Sequence, residues 1–195
     1  MTLNEMCMVA ARESDRYDEF ELTGDMYEDD ALHYFNVFRD AINEAYFEVA
    51  RTRFEPDIYV EVQVDEDGKI DLLELSPQVY SVRNVLNENR TSAVAFEFDT
   101  KFKLDVSGAA AGDTVVLYYH YMPNRLVELD DEPIFSEALV DPMVYICLAV
   151  ARMWQSEKKL TLYESWLAEY YNRLRGVKSN MKGGNLKRVP RNRFR

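Results

Sequence analysis

An α+β domain is the fold class this sequence predicts, and three features predict it. Apolar residues recur at helical spacing near both ends, they alternate with polar residues through the middle, and short turns rather than crossover helices separate the alternating runs. The expected arrangement is a helical bundle formed by N- and C-terminal helices, with an antiparallel β-sheet inserted over residues 57–121. Residues 1–178 make a single α+β domain, and residues 179–195 an extended basic C-terminal tail. With 195 residues, 47% of them hydrophobic, the chain can bury a core without metal or disulfide staples.

A first helix is expected over residues 3–12, because Thr2 can cap it and Glu5 can return the bond to the cap. Residues 13–24 read as a polar connector. Tyr34, Phe35, Phe38, Ile42, Ala45, Tyr46 and Val49 mark one face of a second helix over residues 27–54, which Pro56 stops. From Asp57 the period falls to two. Ile58, Val60, Val62 and Val64 form the buried side of a strand, Asp65-Glu66-Asp67-Gly68-Lys69 turns the chain, and Ile70 to Leu75 is expected back as the hairpin partner. Further strands are expected near Val79 to Leu86, Ala93 to Asp99, Lys101 to Val106 and Thr114 to Tyr121, in one sheet of about five or six strands. Asp99-Thr100 should make a tight turn and residues 107–113 a loop. Helical spacing resumes over residues 137–155, where Ser136 or Asp141 can cap and Met143, Ile146, Cys147, Val150, Ala151 and Trp154 define the buried face. A last helix over residues 162–175, with Thr161 to Glu164 as a second capping box, presents Tyr163, Trp166, Leu167, Tyr170, Tyr171 and Leu174.

Several function classes find no support in the residues. Residues 1–12 lack a signal-peptide pattern and the longest apolar run, Met143 to Val150, is too short to span a bilayer, so a protein made in a cytoplasm with no membrane partner is expected. Cys7 and Cys147 sit on apolar helical faces and read as inert core thiols. His33 and His120 have no Cys, Asp or Glu at metal-ligand spacing, and no nucleophile elbow, phosphate loop, dinucleotide fingerprint or zinc-protease motif occurs. Asp65 to Gly68 is too short for a calcium loop and reads as an acidic hairpin turn. Tyr118, Tyr119 and Tyr121 could stack bases, but their neighbours Glu128, Asp130 and Asp131 are acidic, which favours sheet core or a subunit contact. Neither an enzyme nor a cofactor is expected.

Charge is the informative property. The chain has 35 acidic and 23 basic residues, yet residues 173–195 hold nine of the basic residues and no acidic one. What remains carries 14 basic against 35 acidic residues, a net charge of −21. Such an asymmetry marks a tail meant for an anionic surface on an otherwise acidic body. Lys182-Gly183-Gly184-Asn185 reads as a linker into the final run, in which Lys187, Arg188, Arg191, Arg193 and Arg195 surround Val189 and Phe194. Pro190 favours an extended backbone there, suited to guanidinium-carboxylate pairs and one aromatic anchor.

The stretch from Gly108 to Lys178 resembles the head-tail connector, or adaptor, proteins of tailed bacteriophages, which sit beneath the portal. The resemblance rests on Gly112-Asp113-Thr114-Val115-Val116-Leu117-Tyr118-Tyr119, then Met122-Pro123, then Asp130-Asp131-Glu132-Pro133. It continues through Ala138-Leu139-Val140 into a helix, a polar break and the Tyr163 to Arg173 helix, and Thr2 to Arg12 looks like the family's short first helix. Between Asp57 and Ser107 only the strand pattern agrees. The resemblance implies a homo-oligomeric ring, commonly of twelve copies, located in the virion neck between the capsid portal and the tail and made in the host bacterial cytoplasm. Such a ring attaches to the portal protein, contacts a downstream neck or tail protein, and lets DNA pass through its channel without specific binding. An anionic lumen suits that passage, because it repels phosphates. Lys187, Arg188, Arg191, Arg193, Phe194 and Arg195 are the residues expected to bind the portal. Two alternatives stand beside this reading: another neck component, such as a head-closure or tail-completion protein, and a non-viral binding module whose basic tail contacts nucleic acid.

Overall fold

Four α-helices and antiparallel β-strands alternate in blocks along the chain, in a computed structural model that describes residues 1–19, 22–23, 26–27 and 29–178, with side chains described outside 19–31. The helices are α1 (Leu3–Glu13), α2 (Asp29–Val49), α3 (Met143–Ser156) and α4 (Leu160–Gly176). Two-residue strands β1 (Leu22–Thr23) and β2 (Met26–Tyr27) pair between the first two helices; β1 lies in the expected connector, whereas β2 takes Tyr27 from the expected start of the second helix, which begins at Asp29. Six strands follow α2: β3 (Asp57–Gln63), β4 (Lys69–Asp71), β5 (Val79–Asn87), β6 (Glu97–Thr100), β7 (Lys103–Asp105) and β8 (Thr114–Tyr121). The mixed α+β class is therefore as the sequence predicts.

α1 starts on the expected capping box: the Thr2 hydroxyl accepts from the Glu5 N–H, and the Glu5 carboxylate accepts from the Thr2 N–H at 2.9 Å. α2 buries Phe35, Phe38, Ile42, Ala45, Tyr46 and Val49 and runs into a wider π-type turn, Ala50–Phe54. Glu55, at φ 42°, then leaves the helix ahead of Pro56, whose ring disfavours a helical residue before it. α3 is buried nearly all round, with ten of its fourteen residues inaccessible, and packs on all three other helices. A helix without a polar face has to be the central element, and that is where α3 lies. Leu3, Met6 and Cys7 of α1, Phe38 and Tyr46 of α2, Ile146 and Met153 of α3, and Tyr170 and Leu174 of α4 share one core.

Two helix boundaries depart from the sequence reading. The third helix begins at Met143 rather than near residue 137, because Asp141 accepts from the Met143 N–H at 2.9 Å and Pro142 sets the first turn, while Leu139 and Val140 bond back to the Ser136 carbonyl as a separate turn. Thr161 does not cap the last helix but lies inside it. Lys158, at φ 61°, reverses the chain directly after α3, so helical conformation is already established at Leu160. Nor does α4 bury its whole apolar stripe, since only Tyr170 and Leu174 are fully covered and Tyr171 is exposed.

Instead of one sheet there are two three-stranded antiparallel sheets after α2, ordered β3-β8-β5 and β4-β7-β6. β3 pairs along its full length with β8, from Asp57 opposite His120 to Gln63 opposite Thr114. The turn after β3 forms as expected, with Gly68 at φ 78° and the Asp65 carboxylate accepting from the Asp67 and Lys69 N–H groups. The returning strand nonetheless joins the other sheet, where Ile70 faces Leu104 of β7. Eight-residue β8 satisfies more of the β3 backbone than three-residue β4 could, so the long-range pair wins over the hairpin. Regular strand structure is also shorter than expected around residues 93–106, and the tight turn falls at Lys101 and Phe102, whose following N–H groups use the Thr100 hydroxyl. Val64, Ile70, Leu72, Val85, Leu104, Leu117 and Tyr119 form a second core between the sheets. Along β3, Val60 and Val62 are half-buried and Ile58 is exposed at the strand's start, while Val64, just past its end, is buried.

Candidate interaction surfaces

The loop joining β8 to α3 is built by side chains that bind backbone. Asn43, buried on α2, accepts from the Leu126 N–H at 2.8 Å and donates to the Leu126 carbonyl at 2.9 Å. Asp131 accepts from the N–H groups of Val127 (2.6 Å) and Glu128 (2.8 Å), folding the acidic stretch into a turn. The same stretch supplies carbonyls to the start of α1, where Leu3 donates to Asp131 at 2.8 Å and Asn4 to Leu129 at 2.9 Å. Helix starts carry amide donors that need partners, and here a loop from 125 residues away provides them, leaving Glu128, Asp130 and Glu132 exposed.

A different surface lies where the two sheets meet. Leu73, Tyr80, Phe98 and Phe102 are all exposed and line one groove of about 380 Å³, with Lys101 and Met122 at its wall. Beside it, no strand pairs with the outer edge of β5 from Val79 to Asn84 among the described residues. Exposed apolar side chains gathered next to an open strand edge are the chemistry of a protein contact. Sequence reasoning missed this surface. Its signal was present as apolar residues on the outward parity, in Leu72-Leu73, Phe98 and Phe102.

At the C-terminal side, Val177 is buried and Lys178 lies beside Glu137 and Asp141 in a second groove. Arg173 donates to Asp141 at 2.9 Å and to Glu169 at 2.6 Å, and the Met1 amine donates to Glu137 at 2.6 Å. That hydrogen bond to Glu137 holds the Met1 amine above its ordinary pKa. The six portal-binding residues expected from the sequence, Lys187, Arg188, Arg191, Arg193, Phe194 and Arg195, lie outside the described residues.

Among the other singled-out residues, Cys7 and Cys147 are buried free thiols, and burial pushes the Cys147 thiol up to about 11 and that of Cys7 higher still. His120 Nδ1 lies 2.9 Å from the Glu55 carbonyl, fastening β8 to the residue that follows the Ala50–Phe54 turn, while His33 is exposed on α2. Tyr119 is buried and donates to the Pro77 carbonyl at 3.1 Å. Tyr118 instead packs on Tyr59, over which the Arg90 guanidinium sits at 4.3 Å. Among the described residues no three His, Cys, Asp or Glu side chains are placed to hold a metal ion, and no helix is long and apolar enough to cross a membrane. No protein-family model and no curated protein sequence matches this chain.

Proposed function

We propose that this chain is a structural protein of the bacteriophage neck, a head-tail connector that forms a ring on the portal and continues the DNA channel toward the tail. The observation that carries the proposal is the division of charge, with nine basic and no acidic residues over 173–195 on a body of net charge −21. An anionic body lets DNA slide past it, and a cationic extended segment gives a specific hold on a carboxylate-rich receptor. The segment is the portal contact, through Lys187, Arg188, Arg191, Arg193, Phe194 and Arg195. The helices and the two antiparallel sheets inserted between them supply the wall of the ring, and the protein acts by assembly without turnover.

Support also comes from the groove lined by Leu73, Tyr80, Phe98 and Phe102, since a ring subunit needs apolar surface that a monomer would hide. Truncation after Asn180 tests the proposal. The shortened chain is expected to keep its circular dichroism spectrum and to lose co-purification with the portal; retained co-purification would defeat the assignment. Electron microscopy of the full chain, alone and with portal, is expected to show rings.

A further inference from the structure

The sheet β3-β8-β5 is open on both sides among the described residues. On one side β3 pairs only with β8, in a register unbroken over seven residues, and carries none of the bulge, proline or lysine that commonly blunts an exposed edge. Its two carboxylates, Asp57 and Glu61, are engaged by Arg83 (3.0 Å) and Arg90 (3.4 Å) of the same chain. On the other side, the outer edge of β5 is closed past Asn84, where the Val94 N–H donates to the Val85 carbonyl at 2.8 Å and the Asn87 N–H to that of Ser92 at 2.9 Å. From Val79 to Asn84 that edge is free.

The free part of β5 offers side-chain chemistry as well as backbone. Val79 to Val82 form one wall of the groove of about 380 Å³, opposite Leu73, Phe98 and Phe102. The single charged residue lining it is Lys101, which makes no ion pair and holds its ammonium 5.4 Å from the centre of the Phe102 ring. On a body of net charge −21, a groove whose one charge is positive selects an occupant that is apolar and acidic. The register shifts of β5 at Val79/Ser81 and Val82/Asn84 interrupt its ladder, so an added strand finds a short run of backbone partners and needs those side-chain contacts too.

A second copy of this chain carries such an occupant on its own open edge. Ile58, 38% exposed, shares the core-facing parity of β3 with Val60 and Val62, and the groove lies on that same side of the sheet, since β6 and the residues after it form its far wall. Glu55, next to the start of β3, is exposed and makes no ion pair. The heights also match. Asp57 and Ser81 both face His120 across β8, and Tyr59 and Asn84 both face Tyr118, so the start of β3 is level with the free part of β5. Because β8 is antiparallel to both, β3 and β5 run the same way. Copies turned about an axis along the strands therefore bring β3 to β5 in parallel and at one height.

We infer that the sheet continues from copy to copy, with the free edge of β3 in one subunit lying along residues 79–84 of β5 in the next. Ile58 enters the groove of the neighbouring copy, and Glu55 pairs with its Lys101. Two different edges meet, so the contact is heterologous and each added copy presents a new free edge until a ring closes. The inference deepens the ring proposed above and rests on that reading only for closure.

Cross-linking of full-length chains with one added cysteine each tests the contact, because the native Cys7 and Cys147 are buried and free. Ser81→Cys chains co-expressed with Asp57→Cys chains and treated with a short bismaleimide are expected to give covalent dimers, and neither variant alone should do so. Dimers from Ser81→Cys alone would show a twofold pairing of β5 edges and overturn the inference, as would the absence of dimers from the mixture. On this background, Lys101→Glu or Glu55→Lys in both chains should lower the yield roughly fivefold, and the two together should restore it, since the pair is again of opposite charge. An unrestored yield in a double variant with the normal circular dichroism spectrum would overturn the contact. Portal co-purification and electron microscopy of the unmodified chain separate the two readings. Chains that cross-link through these edges but never bind portal defeat only the function proposed above, and rings that never cross-link defeat only the strand contact.

Discussion

Asn43 does more for the fold than its single polar side chain suggests. It closes two hydrogen bonds with the backbone of Leu126 in a site that excludes water, and so ties the loop after β8 to α2. In Asn43→Ala the Leu126 N–H and carbonyl both lose their partners, at a cost of about 3 kcal/mol. A thermal melt should show Tm lowered by about 9 °C. The buried thiols make a second prediction. Burial raises the Cys147 pKa from its ordinary value of 9.0 to about 11, so the folded state keeps the proton that the unfolded state releases. Stability is therefore full below pH 9 and declines as pH rises from there toward about 11. Below pH 9, alkylation of both cysteines should proceed only as fast as the chain opens, and prompt modification at pH 8 would contradict their burial.

Secondary-structure elements differ in how far local chemistry specifies them. The capping box of α1 is local and forms where Thr2 and Glu5 place it. Thr2→Ala should cost about 1 kcal/mol and lower Tm by about 3 °C, measurable by the same melt. The second expected box, at Thr161, fails because the reversal at Lys158 starts α4 earlier than its sequence signal. β4 fails as a hairpin partner of β3 for the opposite reason, that a longer strand distant in sequence competes for the same edge. A turn sequence determines that the chain turns, and says nothing about which neighbour the next strand will meet.

At the scale of the whole molecule, the groove beside β5 gathers four exposed apolar side chains from separate segments. If it forms the contact between copies, Phe98→Glu with Phe102→Glu should lower the sedimentation coefficient of the assembled protein while leaving its far-ultraviolet circular dichroism unchanged. Unchanged sedimentation would remove the groove from the assembly. The charge division belongs to the same scale, because nine of the basic residues and no acidic one fall in 173–195 while the rest of the chain carries a net charge of −21.

The sequence by itself determined the α+β class, the helical faces of α1, α2 and α3, the strands β5 and β8, the buried thiols and the charge division. Each follows from a periodicity, a cap or a count that acts over a few residues or over the whole composition. Only the tertiary structure decided that the strands divide into two sheets, that α3 is the central helix, and that Leu73, Tyr80, Phe98 and Phe102 line one groove. Those outcomes depend on competition between segments far apart in the chain, for backbone partners and for apolar cover, and no local pattern records which competitor wins.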